Sequence, residues 1–171
     1  DVRKYTQAAS FTSIGTLLAL AAIYHLHIAS IDIKGAYLQS GRCRRDIFVR
    51  PPNEWRQVRG VAWKLLKLPY GLPDAGHQWQ TVIDDFILSL GFSIIPGLPQ
   101  LFKQQSASKD PPTVLAKVTD DILLVGTDSA IASFIQNIRA SFDVGRLQYH
   151  TNMTFNGAFI RSDHSDSRST S

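Results

Sequence analysis

The chain is short of cysteine, of long apolar runs and of acidic residues. Cys43 is the one cysteine in 171 residues, which excludes an internal disulfide framework and a cysteine-based zinc site. A free thiol suits a reducing compartment. The longest apolar stretch, IGTLLALAAIY from Ile14 to Tyr24, falls well short of the roughly 20 residues that a membrane-spanning helix needs. The first residues show no basic-then-apolar leader pattern, and a start at Asp1 rather than Met is what a piece of a longer protein would show. Glycine (11) and proline (8) are not in excess and no segment repeats, which argues against fibrous or low-complexity classes.

What is present is an ordinary globular composition, 44% hydrophobic and 19% charged, at a length that fits one domain with a real core. The net charge of +4 is unevenly spread. Lys34, Arg42, Arg44, Arg45, Arg50, Arg56, Arg59, Lys64 and Lys67 lie together, opposed only by Asp46 and Glu54. Such a stripe is either a solvated face or a surface that neutralises phosphates. Asp84 and Asp85, on a helical stretch with no partner motif, read as surface acids.

Hydrophobic periodicity gives a mixed pattern. TSIGTLLALAAIYHL has helical spacing and a cap-like Thr12 or Ser13. HIASIDI alternates and is β-branched, so a strand should end near Asp32. DIFVRPP (46–52) reads as a strand stopped by prolines, with AWKLLKL (62–68) as its partner. Pro73 opens a helix running to about Leu90 and ended by Gly91. QLFKQQ and PTVLAKVT are strands on either side of a polar loop, and ILLVGT is another. Val114–Thr127 therefore forms a hairpin with Asp120 and Asp121 at its turn. A helix over 129–142 and a last strand in NMTFNGAFI follow, and the Ser/Asp/Arg-rich tail from Ser162 is expected to be disordered. Strands, helices and hairpins in this order predict an α+β fold rather than a doubly wound parallel sheet.

The adjacent pair Asp120–Asp121 is the chemical question. Two unit charges about 4 Å apart repel by roughly 4 kcal/mol at an effective dielectric of about 20. An acidic pair in a turn is ordinarily just solvated, because Asp favours turns. Asp32, at the end of another predicted strand, opens a second reading. If the two strands are neighbours, carboxylates gather at one edge of a sheet. Hard oxygen ligands of this kind, completed by substrate phosphates, are what Mg²⁺ prefers.

Several blocks carry a resemblance when taken in order: TSIGTLLALAAIYHLHIASIDIKGAYLQSG, IFVRPP, LLKLPYGLPDAGHQW, LSLGF, LFKQ, DDILLVGTD and TFNGAFI. Together they resemble the reverse transcriptase domain of copia-type LTR retrotransposons (Pseudoviridae), over nearly the whole chain from about Asp1 to Ile160. The resemblance implies a polymerase palm, an antiparallel sheet backed by helices, with partial fingers, over residues 1–161. Asp32 and Asp120 would ligate two catalytic Mg²⁺ ions, for which Mn²⁺ can substitute, and Asp121 would support them. The implied reaction is attack of a primer 3′-hydroxyl on the α-phosphate of an incoming deoxynucleotide, on an RNA or DNA template-primer.

The resemblance also implies that Lys34, Gly35 and Ala36 approach the triphosphate. Tyr37 would lie under the sugar and reject a 2′-hydroxyl, although a packing tyrosine is the plainer reading of that residue. Tyr70 and Gly71 would begin the segment beneath the templating base pair. Arg42, Arg44, Arg45, Arg50, Lys64 and Lys67 would meet template phosphates in the fingers. Trp55, Trp63 and Trp79 read as packing residues rather than stacking platforms. Further partners would be the rest of a polyprotein, with fingers, thumb, ribonuclease H and integrase, and no membrane. The setting would be intracellular, a cytoplasmic particle or the nucleus.

Six positions depart from the family pattern. Val118 stands where an aromatic precedes the acidic pair, and Lys117 interrupts a strand expected to be buried. Strand alternation puts Lys117 on a face with Thr119, close to the acidic site. Pro73–Asp74 replaces Lys-Gln, Gly15 replaces an arginine, and Asn156 replaces leucine. The thumb and ribonuclease H domain expected downstream, and the basic fingers strands expected upstream, are not among these 171 residues. Two readings follow: a polymerase core, or a degenerate transposon-derived remnant that at most binds nucleic acid or a partner.

Overall fold

A computed structural model describes residues 8–55, 60–105, 111–149 and 152–161. In chain order the elements are α1 (Phe11–Ile23), β1 (His27–Ile33), α2 (Ala36–Gln39), β2 (Phe48–Val49), β3 (Trp63–Lys64), α3 (Ala75–Ser89), β4 (Ser93–Ile94), β5 (Leu101–Gln104), β6 (Thr113–Val118), β7 (Asp121–Gly126), α4 (Asp128–Ser141), β8 (Val144–Tyr149), β9 (Met153–Phe155) and β10 (Ala158–Ile160). Two compact units result. One is built from Gly35–Phe86, the other from the described parts of Gln7–Lys34 and Ile87–Ser171. No helix among the described residues is long and apolar enough to cross a membrane.

The larger unit holds a six-stranded sheet in the order β4-β5-β6-β7-β1-β8, and every strand pair in it is antiparallel. The α+β class therefore stands as mixed helix and strand around an antiparallel sheet. β7 is central and buried along nearly its whole length, which is why ILLVG reads as a continuous apolar run instead of alternating. Leu123 and Val125, with Ala116 of β6, join Ile14, Leu17 and Ala21 of α1 and Met153, Phe155 and Ile160 of β9–β10 in one cluster. Ile122 and Leu124 point the other way and are equally buried. α4 packs on β1 and β7 through its own contacts and buries Ile131, Phe134 and Ile138.

Helix boundaries follow local chemistry. α1 is capped by Ser10, whose hydroxyl accepts from the Ser13 amide at 3.0 Å. Thr12 and Ser13, the expected caps, already lie inside the first turn, because Ser10 is the residue with extended backbone (φ −73°, ψ 155°). Gly91 ends α3 as expected, at φ +85°. NMTFNGAFI is not one strand but two: Asn156 and Gly157 both have positive φ, 46° and 77°, and make the turn between β9 and β10. β4 and β8 were not anticipated. β8 (VGRLQY) is an edge strand with little burial, so it lacks the apolar alternation that marks the others. The tail from Ser162 and the loop residues 106–110 lie outside the described residues.

In the smaller unit, β2 pairs antiparallel with β3, Phe48 opposite Lys64 and Val49 opposite Trp63. The expected partnership holds, but each strand is two residues long, cut short by Pro51 and Pro52 on the β2 side.

Candidate active site

The β6–β7 hairpin closes through a two-residue turn, with Val118 opposite Asp121 and Thr119–Asp120 between them. Thr119 lies at φ +55°, a region where a β-branched residue is an outlier. Such conformations persist only where the surroundings hold them, and they gather at functional sites. The turn therefore consists of Thr119 and Asp120, while Asp121 is the first residue of β7.

β1 pairs directly with β7, and the register sets Asp32 opposite Asp121. Beyond that pair, the Ile33 amide donates to the Asp120 carbonyl at 3.1 Å. All three aspartates are half-buried. Burial raises the Asp121 carboxyl above its ordinary value, and the charges of Asp120 and Asp32 raise it further, while Arg146 opposes them. The Oδ1 of Asp121 is buried and has no hydrogen-bond partner among the described residues.

On the other side of β1, the pairing with β8 shifts register between Ile31 and Ile33, so Asp32 sits at a β-bulge. Gly145 of β8 lies against it. A Cβ at Gly145 would stand 2.6 Å from Oδ2 of Asp32 and 3.5 Å from the Asp32 carbonyl and from Cβ of Lys34. The missing side chain is what leaves room for the Asp32 carboxylate. Lys34 is tied down next to it: its amide donates to the Asp143 carbonyl at 3.0 Å, and its Nζ lies 3.8 Å from Oδ2 of Asp143.

This donor set suits a hard cation. Among the described residues no group of three or more His, Cys, Asp or Glu side chains is arranged to hold a metal ion. Mg²⁺, however, takes one or two carboxylates and completes its shell with water and substrate phosphate. An unpartnered buried carboxylate oxygen on Asp121, opposite Asp32 with its bulge and glycine cradle, fits that requirement.

The remaining predicted residues lie in the smaller unit. Gly35 (φ +56°) precedes α2 in a left-handed conformation that favours glycine. Ala36 is fully buried. Tyr37 is half-buried and its ring meets that of Tyr70 at 4.2 Å between centroids, tilted 31°. Gly71 has φ +94°. Arg42, Arg44, Arg45, Arg50, Lys64 and Lys67 are all exposed. Arg45 binds Asp74 through two hydrogen bonds, 2.8 and 3.0 Å, and Lys64 pairs with Asp46 at 2.7 Å. Gln78 was not singled out in the sequence, yet its amide donates to the carbonyls of Ser40 and Arg42 at 2.8 and 3.0 Å and so shapes the basic loop. Arg56 and Arg59 lie outside the described residues.

The family model described as reverse transcriptase (RNA-dependent DNA polymerase) matches residues 3–161. The chain belongs to the reverse transcriptase family. It is 31% identical over 144 residues to the retrovirus-related Pol polyprotein from transposon TNT 1-94 of Nicotiana tabacum, covering 82% of this chain and 11% of that one. It is 30% identical over 136 residues to the Pol polyprotein from transposon RE1 of Arabidopsis thaliana, 78% and 9% covered. The copia-type assignment stands, and this reverse transcriptase domain spans about a tenth of the length of those relatives.

The departures from the reverse transcriptase pattern now have local settings. Lys117 is buried to 1% exposure. It lies opposite Ile122, whereas Val118 lies opposite Asp121, so Lys117 projects to the other side of the sheet from Asp32 and Asp121. The charge that Asp74 adds is met by Arg45, whose hydrogen bonds hold the Asp74 carboxyl below its ordinary range. Asn156 is a turn former rather than a lost leucine. Asp85 is exposed as expected of a surface acid, but Asp84 is half-buried. Trp79 is a packing residue at 1% exposure; Trp55 and Trp63 are not, at 70% and 42%. Gly145 and Arg146 were missed in the sequence, although an isolated glycine in a strand does signal close approach of a neighbour.

Proposed function

We propose that this chain is the catalytic core of an RNA-directed DNA polymerase, palm with partial fingers, within a copia-type retrotransposon polyprotein. It would extend a primer with deoxynucleotides. The observation that carries the reading is the register of Asp32 opposite Asp121, with Gly145 leaving space for the Asp32 carboxylate.

Asp32, Asp120 and Asp121 would hold Mg²⁺, with Mn²⁺ as a substitute. Bound there, divalent cations supply Lewis-acid activation of a primer 3′-hydroxyl and stabilise charge on the phosphoryl oxygens. The chain's own part is positioning. The bulge at Asp32 and the turn at Thr119 fix where the carboxylates point. Burial of Asp121 beside two like charges makes the empty site unfavourable and a cation welcome. Lys34, Gly35 and Ala36 are assigned the triphosphate, and left-handed Gly35 is what allows the backbone to come close to a ligand there. Tyr37 is assigned the sugar, and its contact with Tyr70 limits the freedom of its ring. Tyr70 and Gly71 are assigned the templating base, and the exposed arginines and lysines the template phosphates. Such a domain would work inside the cell, in a cytoplasmic particle or the nucleus.

The test is primer extension on an RNA template with Mg²⁺ and deoxynucleotides, beside Asp120→Asn. Extension by the parent and about a hundred-fold or greater loss in the variant is the expected result. Equal extension by both would overturn the role of Asp120. Absence of both extension and Mg²⁺-dependent nucleotide binding would overturn the polymerase reading and leave a folded remnant.

A further inference from the structure

The β2–β3 ribbon carries an aromatic surface that packing does not explain. Trp55 ends a short 3₁₀ turn (Asn53–Trp55) and Trp63 begins β3. Their rings meet edge to face, 6.2 Å apart and 66° inclined. That contact covers only part of each ring, since Trp55 is 70% and Trp63 42% exposed. The register puts Trp63 on the same side of the ribbon as Val49, and Phe48, itself largely exposed, on the other side with Lys64. Aromatic rings of this size normally bury their faces, because each buries 150–250 Å² when covered, and pairs of them dominate cores and interfaces.

The ribbon that carries the rings is cationic: Arg50 follows β2, and the bond from the Cys43 amide to the Leu66 carbonyl sets the flanking Arg42 and Arg44 near Lys67 at its other end. Arg42, Arg44, Arg50 and Lys67 are exposed and form no ion pair among the described residues. The nearby acids are Asp46, already paired with Lys64, and the exposed Glu54. Exposed indoles and unpaired cations on one ribbon match a strand that offers bare bases and phosphates together. A protein partner fits less well, because the acids it would need opposite these cations are depleted in interface cores. A duplex fits less well too, because its base faces are already stacked.

We propose that Trp55 and Trp63 form a stacking platform for unpaired nucleotides of a template strand, with Arg42, Arg44, Arg50 and Lys67 as its phosphate contacts. This rests on the reverse transcriptase reading for the identity of the strand, but not on the carboxylate site. The inference concerns base faces, which phosphate neutralisation by the basic loop does not require.

The test is a tryptophan-fluorescence titration of the intact chain in chelator, so that no metal site takes part. The probes are an oligothymidylate of about a dozen nucleotides, which spans one site of this kind, and an abasic strand of the same length and charge. The base-bearing strand is expected to bind about ten-fold tighter and to quench the indoles. Trp55→Ala and Trp63→Ala should each remove about ten-fold of that affinity and leave abasic binding unchanged. Trp55→Phe and Trp63→Phe, with native circular dichroism, should retain most of it. Buried Trp79 provides emission that does not respond to the strand. Equal binding of the two strands, or unchanged binding in both alanine variants, would overturn the proposal, as would an equal indole response to anionic lipid vesicles. Primer extension on the same samples separates the two readings. Extension without stacking defeats this inference alone. Stacking with neither extension nor Mg²⁺-dependent nucleotide binding in any sample defeats the polymerase and leaves a strand-binding surface.

Discussion

Asp32 of β1 stands opposite Asp121 of β7 in the antiparallel register, and Gly145 of β8 lies against the first of them. Two neighbouring strands thus fix one carboxylate each, and a third strand withholds a side chain to make room. In the proposed function, the repulsion that makes Asp120–Asp121 unfavourable in an isolated turn would become the source of affinity for a cation.

Gly145→Ala tests the cradle. The added methyl would overlap Oδ2 of Asp32 at 2.6 Å, so the carboxylate must swing aside. Gly145 is exposed on an edge strand, and the fold tolerates the change. Primer extension should fall by about a hundred-fold, the cost of misplacing a reacting group by about 1 Å. The urea midpoint should barely move.

Thr119→Gly tests the strain at the turn. Glycine adopts φ +55° without the penalty that a β-branched residue bears there. Net stabilisation of about 1 kcal/mol is expected after the extra freedom of the unfolded glycine is counted. Urea unfolding of the two proteins measures it, and Thr119→Ala should not reproduce the gain.

The Arg45–Asp74 pair predicts a pH dependence. Hydrogen bonding from Arg45 lowers the Asp74 carboxyl below its ordinary value of 3.8. A carboxyl depressed by folding contributes stability above its unfolded value and loses it as pH falls through the folded value. The difference in thermal midpoint between wild type and Asp74→Asn should therefore be present at neutral pH and shrink below about pH 4. Added salt should also reduce it, because Arg45 is exposed.

Gly15→Ala should stabilise the chain. Gly15 is exposed in the interior of α1, and a Cβ there meets nothing within 4 Å. The expected gain is up to about 1 kcal/mol, read as a raised melting temperature with extension unchanged.

The parts legible in the sequence were those whose pattern is set locally or by deep burial. β7 declared itself by an apolar run because both its faces are covered. Gly91 marked the end of α3, and the strand order brought Asp32 into line with the acidic pair. What was not legible depends on partners far along the chain. β8 is polar because it is an edge strand, and the bulge at Asp32 exists only through its pairing with β8. Gly145 therefore signals at most a close approach in the sequence, and its neighbour is identified only where Asp32 lies against it. The exposure of Trp55 and Trp63 was hidden for the opposite reason: tryptophan is usually a packing residue, and nothing in β2 or β3 signals that the ribbon is too short to cover its own rings. The side of the sheet taken by Lys117 was misjudged because alternation does not continue through a turn with a left-handed residue at Thr119.

The most direct measurement is Mg²⁺ binding to the intact chain by calorimetry, with Mn²⁺ as a second probe, on wild type, Asp32→Asn and Asp121→Asn at neutral pH. The account predicts saturable binding in the wild type that weakens by about ten-fold or more in each variant, since removing one of the three carboxylates removes a ligand that the others do not replace. Affinity unchanged in both variants, with all three proteins folded, would contradict it.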